Sequence, residues 1–133
     1  MTVGLLKVGI ASYEEMKART LAIARGKLKP RPGDPKVWFP SMESLAKVLS
    51  AKNRELLRVI AERAPRSLEE LAVLTGRRES NLSRTLKSLE SYGVVKLLRG
   101  PRGRVVARVH AKRISLEVLL LDRSLPRRRR KAG

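Results

Sequence analysis

The chain contains no cysteine and a single histidine. The first absence removes disulfides, thiol catalysis and cysteine-based zinc sites. The second removes most of the metal-binding and triad chemistry that would remain. Aromatic residues make up 3% of the chain. A core must therefore come from Leu, Val, Ala and Ile, and single-stranded nucleic acid lacks its usual stacking partners. No apolar run approaches the roughly 20 residues that span a bilayer. The stretch MTVGLLKVGIASYEE has neither the basic start nor the cleavage site of a signal peptide. A cytoplasmic protein with no membrane partner is expected. No glycine-rich phosphate loop, nucleophile elbow or metal-spaced cluster occurs, so neither a cofactor nor an enzymatic site is expected. Acidic residues are scarce: 12 Asp and Glu face 31 Lys and Arg, for a net charge of +19. From Lys96 onward 13 basic residues meet two acids. Such an imbalance predicts a polyanionic partner, with nucleic acid ahead of an anionic membrane surface.

What is present is a pattern running from Ser67 to Val109. Ser67 and Glu70 have the spacing of a capping box, followed by Leu68, Leu71 and Ala72 at helical spacing. Gly76 permits the left-handed residue that ends a helix. A second helix, residues 79–92, carries Leu82, Leu86 and Leu89 on one face, and Gly93 stops it. Val94, Val95, Leu97 and Leu98 read as a strand, Gly100-Pro101-Arg102-Gly103 as a turn, and Val105, Val106, Ala107 and Val109 as the returning strand. Helix, turn, helix and two-stranded wing (residues 95–109) is the order of a winged helix-turn-helix, so the expected class is α+β. That fold presents one helix to the DNA major groove.

Before this unit, Val3 to Ile10 suits a strand with no obvious hairpin partner. Such a strand seeks pairing with a twofold mate, with Val37 to Phe39, or with another protein. Ser12 and Glu15 open a helix from Tyr13 to Arg25, with Met16, Thr20, Ile23 and Ala24 as its buried face and Gly26 as its stop. KLKPRPGDPK, residues 27–36, reads as a linker. The expected organisation is therefore a strand-helix unit over 1–26, for dimerisation or partner binding, then the linker. A winged helix-turn-helix domain over 37–121 and a basic tail over 122–133 follow. Within the domain, Val37 to Phe39 suits a strand. Ser41 and Ser44 suit caps for a helix over Met42 to Leu49. Ser50 caps a helix from Ala51 to Arg63 with the stripe Leu56, Leu57, Ile60 and Ala61, closed by Pro65. Ile114 to Leu120 alternates as a final strand, and Arg127 to Lys131 is a like-charged tail.

With three leucines inward, Asn81, Arg84 and Ser88 face outward on the second helix, and Arg77, Arg78 and Ser80 stand at its start. Arg suits guanine and Asn suits adenine, each by two hydrogen bonds. Ser83, Lys87 and Ser88 suit phosphates. Arg102 sits at the hairpin tip, where a guanidinium can clamp phosphate or enter a minor groove. Arg99 and Arg104 flank it, and with Arg108 they suit the solvent face of the ribbon. Trp38 and Phe39 read as core residues, and His110 as structural. The pairs Glu14-Glu15 and Glu69-Glu70 sit in first helical turns, where the dipole favours carboxylates without acid–base chemistry.

These residues bring a family into view. The segment VWFPSMESLAKVLSAKNRELLRVIAERAPRSLEELAVLTGRRESNLSRTLKSLESYGVV resembles the MarR-like winged helix-turn-helix transcriptional regulators, a group often described as antitoxin-like. The likeness rests on Leu49, Ser50, Ala51, Lys52 and Asn53, on Gly76-Arg77, on Ser80-Asn81, and on Leu89 to Gly93. It extends from about Val3 to Leu121. It implies a sequence-specific double-stranded DNA-binding regulator, a repressor by expectation, working as a homodimer. Two alternatives stand beside it. One is an antitoxin that also binds a protein toxin and represses its own operon. The other is a basic RNA- or ribosome-associated protein.

Overall fold

The structure is a computed structural model, and residues 4–118 and 120 are described. The basic tail at Arg127 to Lys131 lies outside them. The chain runs β1 (Leu5–Ile10), α1 (Tyr13–Ala24), β2 (Val37–Phe39), α2 (Met42–Val48), α3 (Ala51–Arg63), α4 (Leu68–Thr75), α5 (Glu79–Ser91), β3 (Val95–Arg99), β4 (Val105–Val109) and β5 (Arg113–Val118). The class is mixed α+β. Three strands form a parallel sheet in the order β2-β1-β5, and β3 and β4 form an antiparallel hairpin.

Serine hydroxyls start four of the helices. Ser12, Ser41, Ser50 and Ser67 each accept a backbone N–H three residues on. This satisfies one of the donors that a helix start leaves open. Ser12 with Glu15 and Ser41 with Ser44 make reciprocal boxes. The Ser67–Glu70 pair does not, against the sequence expectation: the Glu70 carboxylate reaches one residue further back, to the N–H of Arg66 at 3.2 Å. Ala64 ends α3 in the left-handed region, with φ 43°, and turns the chain so that Pro65 is buried.

One apolar core lies between α2–α5 and the strands. Leu56 and Ile60 of α3, Leu71 of α4, and Leu82, Leu86 and Leu89 of α5 are buried in it with Val8, Phe39, Val94, Val95 and Ala107. Phe39 stacks on Tyr92 with ring centroids 4.2 Å apart. Each such leucine contributes about 1.5–3 kcal/mol by leaving water. Ala61, expected in the α3 stripe, is exposed instead. Leu56, Leu57 and Ile60 already fill the arc that meets β4 and α4.

The N-terminal strand lies in the middle of the sheet. β1 pairs in parallel with β2, Val8 opposite Val37 and Ile10 opposite Phe39. It also pairs with β5, Leu6 opposite Ile114 and Val8 opposite Leu116. Of the partners expected for β1, Val37 to Phe39 is one, and β5 is a second that local pattern did not offer. Within residues 27–36, three contacts hold the chain. The Asp34 carboxylate accepts the Arg31 N–H at 2.8 Å and the Arg19 guanidinium at 3.2 Å, and Lys36 N–H donates to Lys7 O at 2.9 Å. Strand alternation sends Leu6, Val8, Ile10 and Phe39 into the core and Trp38 to the opposite face. There the Trp38 ring covers Gly9, and Arg19 of α1 lies over the ring at 5.4 Å.

α1 differs from its expectation. It has no buried residue. Its half-buried row is Met16, Arg19 and Ala22, whereas Thr20, Ile23 and Ala24 face solvent. The helix meets the sheet through a cation on an indole rather than through an apolar stripe, which rotates the contact row away from Ile23.

Candidate nucleic-acid interface

α5 is built to expose one polar face. Leu82, Leu86 and Leu89 are fully buried, at the i, i+4, i+7 spacing of one helical stripe. The opposite side carries Ser80, Asn81, Arg84, Lys87 and Ser88, all exposed, while Ser83 at the flank is half-buried. α4 and α5 are joined through Gly76, which takes φ 71° and lets α4 end within one residue. Unlike α1–α4, α5 starts on a residue with no side-chain cap: Arg78 precedes it and is exposed. The positive end of its dipole therefore adds to the basic side chains there.

Arg77 is placed differently from its neighbours. It is half-buried, and its guanidinium donates to the Lys52 carbonyl at 2.8 Å. The bond braces the α4–α5 turn against the start of α3. Beside α5, a shallow cleft is lined by Lys47, Asn53, Arg84, Thr85 and Ser88 among others. Asn53 is fixed there by donating to the Lys47 and Val48 carbonyls at 3.3 and 3.2 Å.

The β3–β4 hairpin pairs Val95 with Val109 and Arg99 with Val105. Glu90 of α5 holds β3 by accepting the Leu97 N–H at 2.9 Å. At the tip, Arg102 adopts φ 62°, ψ 27°, a left-handed conformation that costs a side-chain-bearing residue about 1–2 kcal/mol. Arg99, Arg102 and Arg104 are exposed. Arg108 is not on the solvent face as its alternation suggested. It is half-buried, and its guanidinium donates to the Pro65 carbonyl at 2.9 Å. This turns it into a cleft lined by Arg66, Pro101, Arg102, Arg104, Val106 and Arg108. Four arginines thus line one concavity beside the hairpin tip.

The sequence pattern named the α5 face, the hairpin tip and Arg108 on the wing, but not Arg66, Lys47 or Asn53 as neighbours of these surfaces. Arg66 lies between two helices with no local repeat to mark it. Lys47 and Asn53 come beside Arg84 only because the tertiary fold brings the end of α2 and the start of α3 to one cleft with α5. Among the described residues, no group of three or more His, Asp or Glu could hold a metal ion, and no helix is long and apolar enough to cross a membrane.

Comparison with known proteins fits the same region. A model of the HVO_A0114 family matches residues 48–116, from the last residue of α2 into β5. That is just over half of the chain, and the chain belongs to the HVO_A0114 family. No curated protein and no solved structure matches it.

Proposed function

We propose that this protein is a non-enzymatic transcriptional regulator that binds double-stranded DNA through a winged helix-turn-helix of the MarR-like kind. α4 and α5 are the helix-turn-helix, with α5 in the major groove, and the β3–β4 hairpin is the wing on the backbone. The observation that carries this reading is the exposed row of Asn81, Arg84, Lys87 and Ser88, held outward by three buried leucines. Arg84 and Asn81 have the donor geometry for guanine and adenine edges. Ser80, Lys87, Ser88 and Arg78 suit the flanking phosphates. The four-arginine cleft at the wing supplies cations for the backbone beyond the groove.

Selection from a random duplex pool tests the proposal. The full chain is expected to enrich one motif. Arg84→Ala and Asn81→Ala are each expected to lose about 1–3 kcal/mol on that motif and little on random duplex. Failure to enrich any motif would sink the reading. So would an equal loss on selected and random DNA, because α5 would then touch only phosphate.

A further inference from the structure

The parallel sheet has two outer edges, and they are built differently. β2 is three residues long and stands between Pro35 and Pro40. A short strand flanked by prolines is a poor template for another strand. β5 is six residues long, RISLEV, with no proline. Among the described residues it pairs with β1 alone. Leu116 and Val118 lie on the core-facing side of the sheet, yet remain 41% and 43% exposed. The same side at Val8 and Phe39 is fully covered.

The backbone fixes which groups face out from this edge. Arg113 N–H donates to Gly4 O at 3.0 Å, toward β1. Hydrogen-bonding direction alternates along a strand, so Ile114, Leu116 and Val118 direct their N–H and C=O groups outward. These are also the residues whose side chains lie on the core face. Arg113, Ser115 and Glu117 have their side chains on the opposite face, and Arg113 and Glu117 are spaced evenly about Ser115.

We propose that two copies of this chain join β5 to β5, antiparallel, across a twofold axis at Ser115, forming one continuous six-stranded sheet. In this register Ile114 of each copy and Leu116 of the other exchange both backbone hydrogen bonds. Arg113 of each copy stands opposite Glu117 of the other. These are non-hydrogen-bonded positions, where side chains approach most closely. The register is selected by charge. A twofold at Leu116 places Ser115 opposite Glu117, and a twofold at Glu117 opposes two carboxylates. Both lose the two ion pairs. The contact is isologous, so it closes at two copies and leaves no further edge of this kind exposed. It also brings the Leu116 side chains beside the Ile114 side chains of the other copy, covering apolar surface that a single copy leaves wet.

The test measures the oligomeric state of the full chain without DNA, so its outcome is separate from that of the DNA-binding proposal. Sedimentation equilibrium is expected to show a dimer at micromolar concentration. Arg113→Glu and Glu117→Arg, made singly, each place like charges opposite one another at both symmetric positions. Each is expected to weaken the dimer about tenfold or more. The double variant R113E/E117R restores opposite charges and is expected to recover the dimer. Leu116→Pro removes an outward N–H while sparing the ladder to β1, and is expected to give a monomer with unchanged circular dichroism. A monomeric wild-type chain overturns the proposal. It is also overturned by single variants that dimerise normally, a double variant as weak as the singles, a folded Leu116→Pro dimer, or species growing beyond two copies. Should Leu116→Pro unfold, the charge exchange decides alone.

Discussion

Arg102 occupies a left-handed position that glycine would take without strain, and it is followed by Gly103, which does so at φ 72°. The hairpin tip therefore carries an arginine at a conformational cost, and strain of this kind points to a use for the side chain. The two contributions can be separated. Arg102→Gly is expected to leave thermal stability unchanged or raise it by up to about 1 kcal/mol, since the relief of φ is offset by the greater freedom of glycine in the unfolded chain. The same change is expected to weaken binding to selected and random duplexes alike, as loss of a phosphate contact does. Calorimetry and fluorescence anisotropy on one preparation check both signs. A variant that is less stable, or that binds normally, would show that Arg102 serves the turn itself. Other charged residues are bound into the fold. Asp34 is the buried carboxylate among the described residues, and it holds the β1–β2 crossover through Arg19 and the Arg31 N–H. Arg77 and Arg108 each donate to a carbonyl distant in sequence, that of Lys52 in α3 and that of Pro65 after it. Composition counts Arg19, Arg77 and Arg108 as surface charge, but their side-chain hydrogen bonds tie distant parts of the chain together.

At the scale of elements, the strand–helix–strand unit of β1, α1 and β2 closes over Gly9. A Cβ built there would meet the Trp38 ring at 2.5 and 2.6 Å and Pro35 Cγ at 3.0 Å. Trp38 in turn lies under Arg19, so the ring has little room to retreat. Gly9→Ala is expected to destabilise the chain by about 1–3 kcal/mol, the usual cost of overpacking, measured by urea unfolding. An unchanged midpoint would mean that Trp38 swings clear. The elements differ in how plainly the sequence shows them. α2 through α5 announce themselves through Ser41, Ser50 and Ser67, through Gly76, and through leucines at helical spacing, because caps and stripes are local. The contact row of α1 is not legible in this way. Its capping box at Ser12 and Glu15 is local, but Met16, Arg19 and Ala22 become the inner row through Trp38, which arrives from another strand.

For the whole molecule the dominant quantity is the charge of +19. If the proposed interface neutralises about 6–10 phosphates, affinity for duplex DNA is expected to fall about 10³–10⁵-fold between 50 and 200 mM salt. A nearly flat titration would argue against phosphate contact as the main source of affinity. The site itself is assembled from unequal parts. The α5 face is encoded within thirteen residues, so periodicity exposes it. The arginine cleft is not: Arg66 follows α3, Arg102 sits at the hairpin tip with Arg104 beside it, and Arg108 returns along β4.

The sequence by itself determined the charge, which is a sum over residues, and also the helix starts, the hairpin turn and the three-leucine base of α5, since each of these depends on residues within one or two turns of one another. Tertiary structure decided the rest. β1 and β5 stand at opposite ends of the described chain, and their parallel register, Leu5 with Arg113 through Ile10 with Val118, has no turn to set it. It forms because Leu6, Val8 and Ile114 share one apolar face over the helical core, and a one-residue slip would send that face to solvent. The same packing makes β5 an outer strand among the described residues, so that Arg113 and Glu117 stand along that edge.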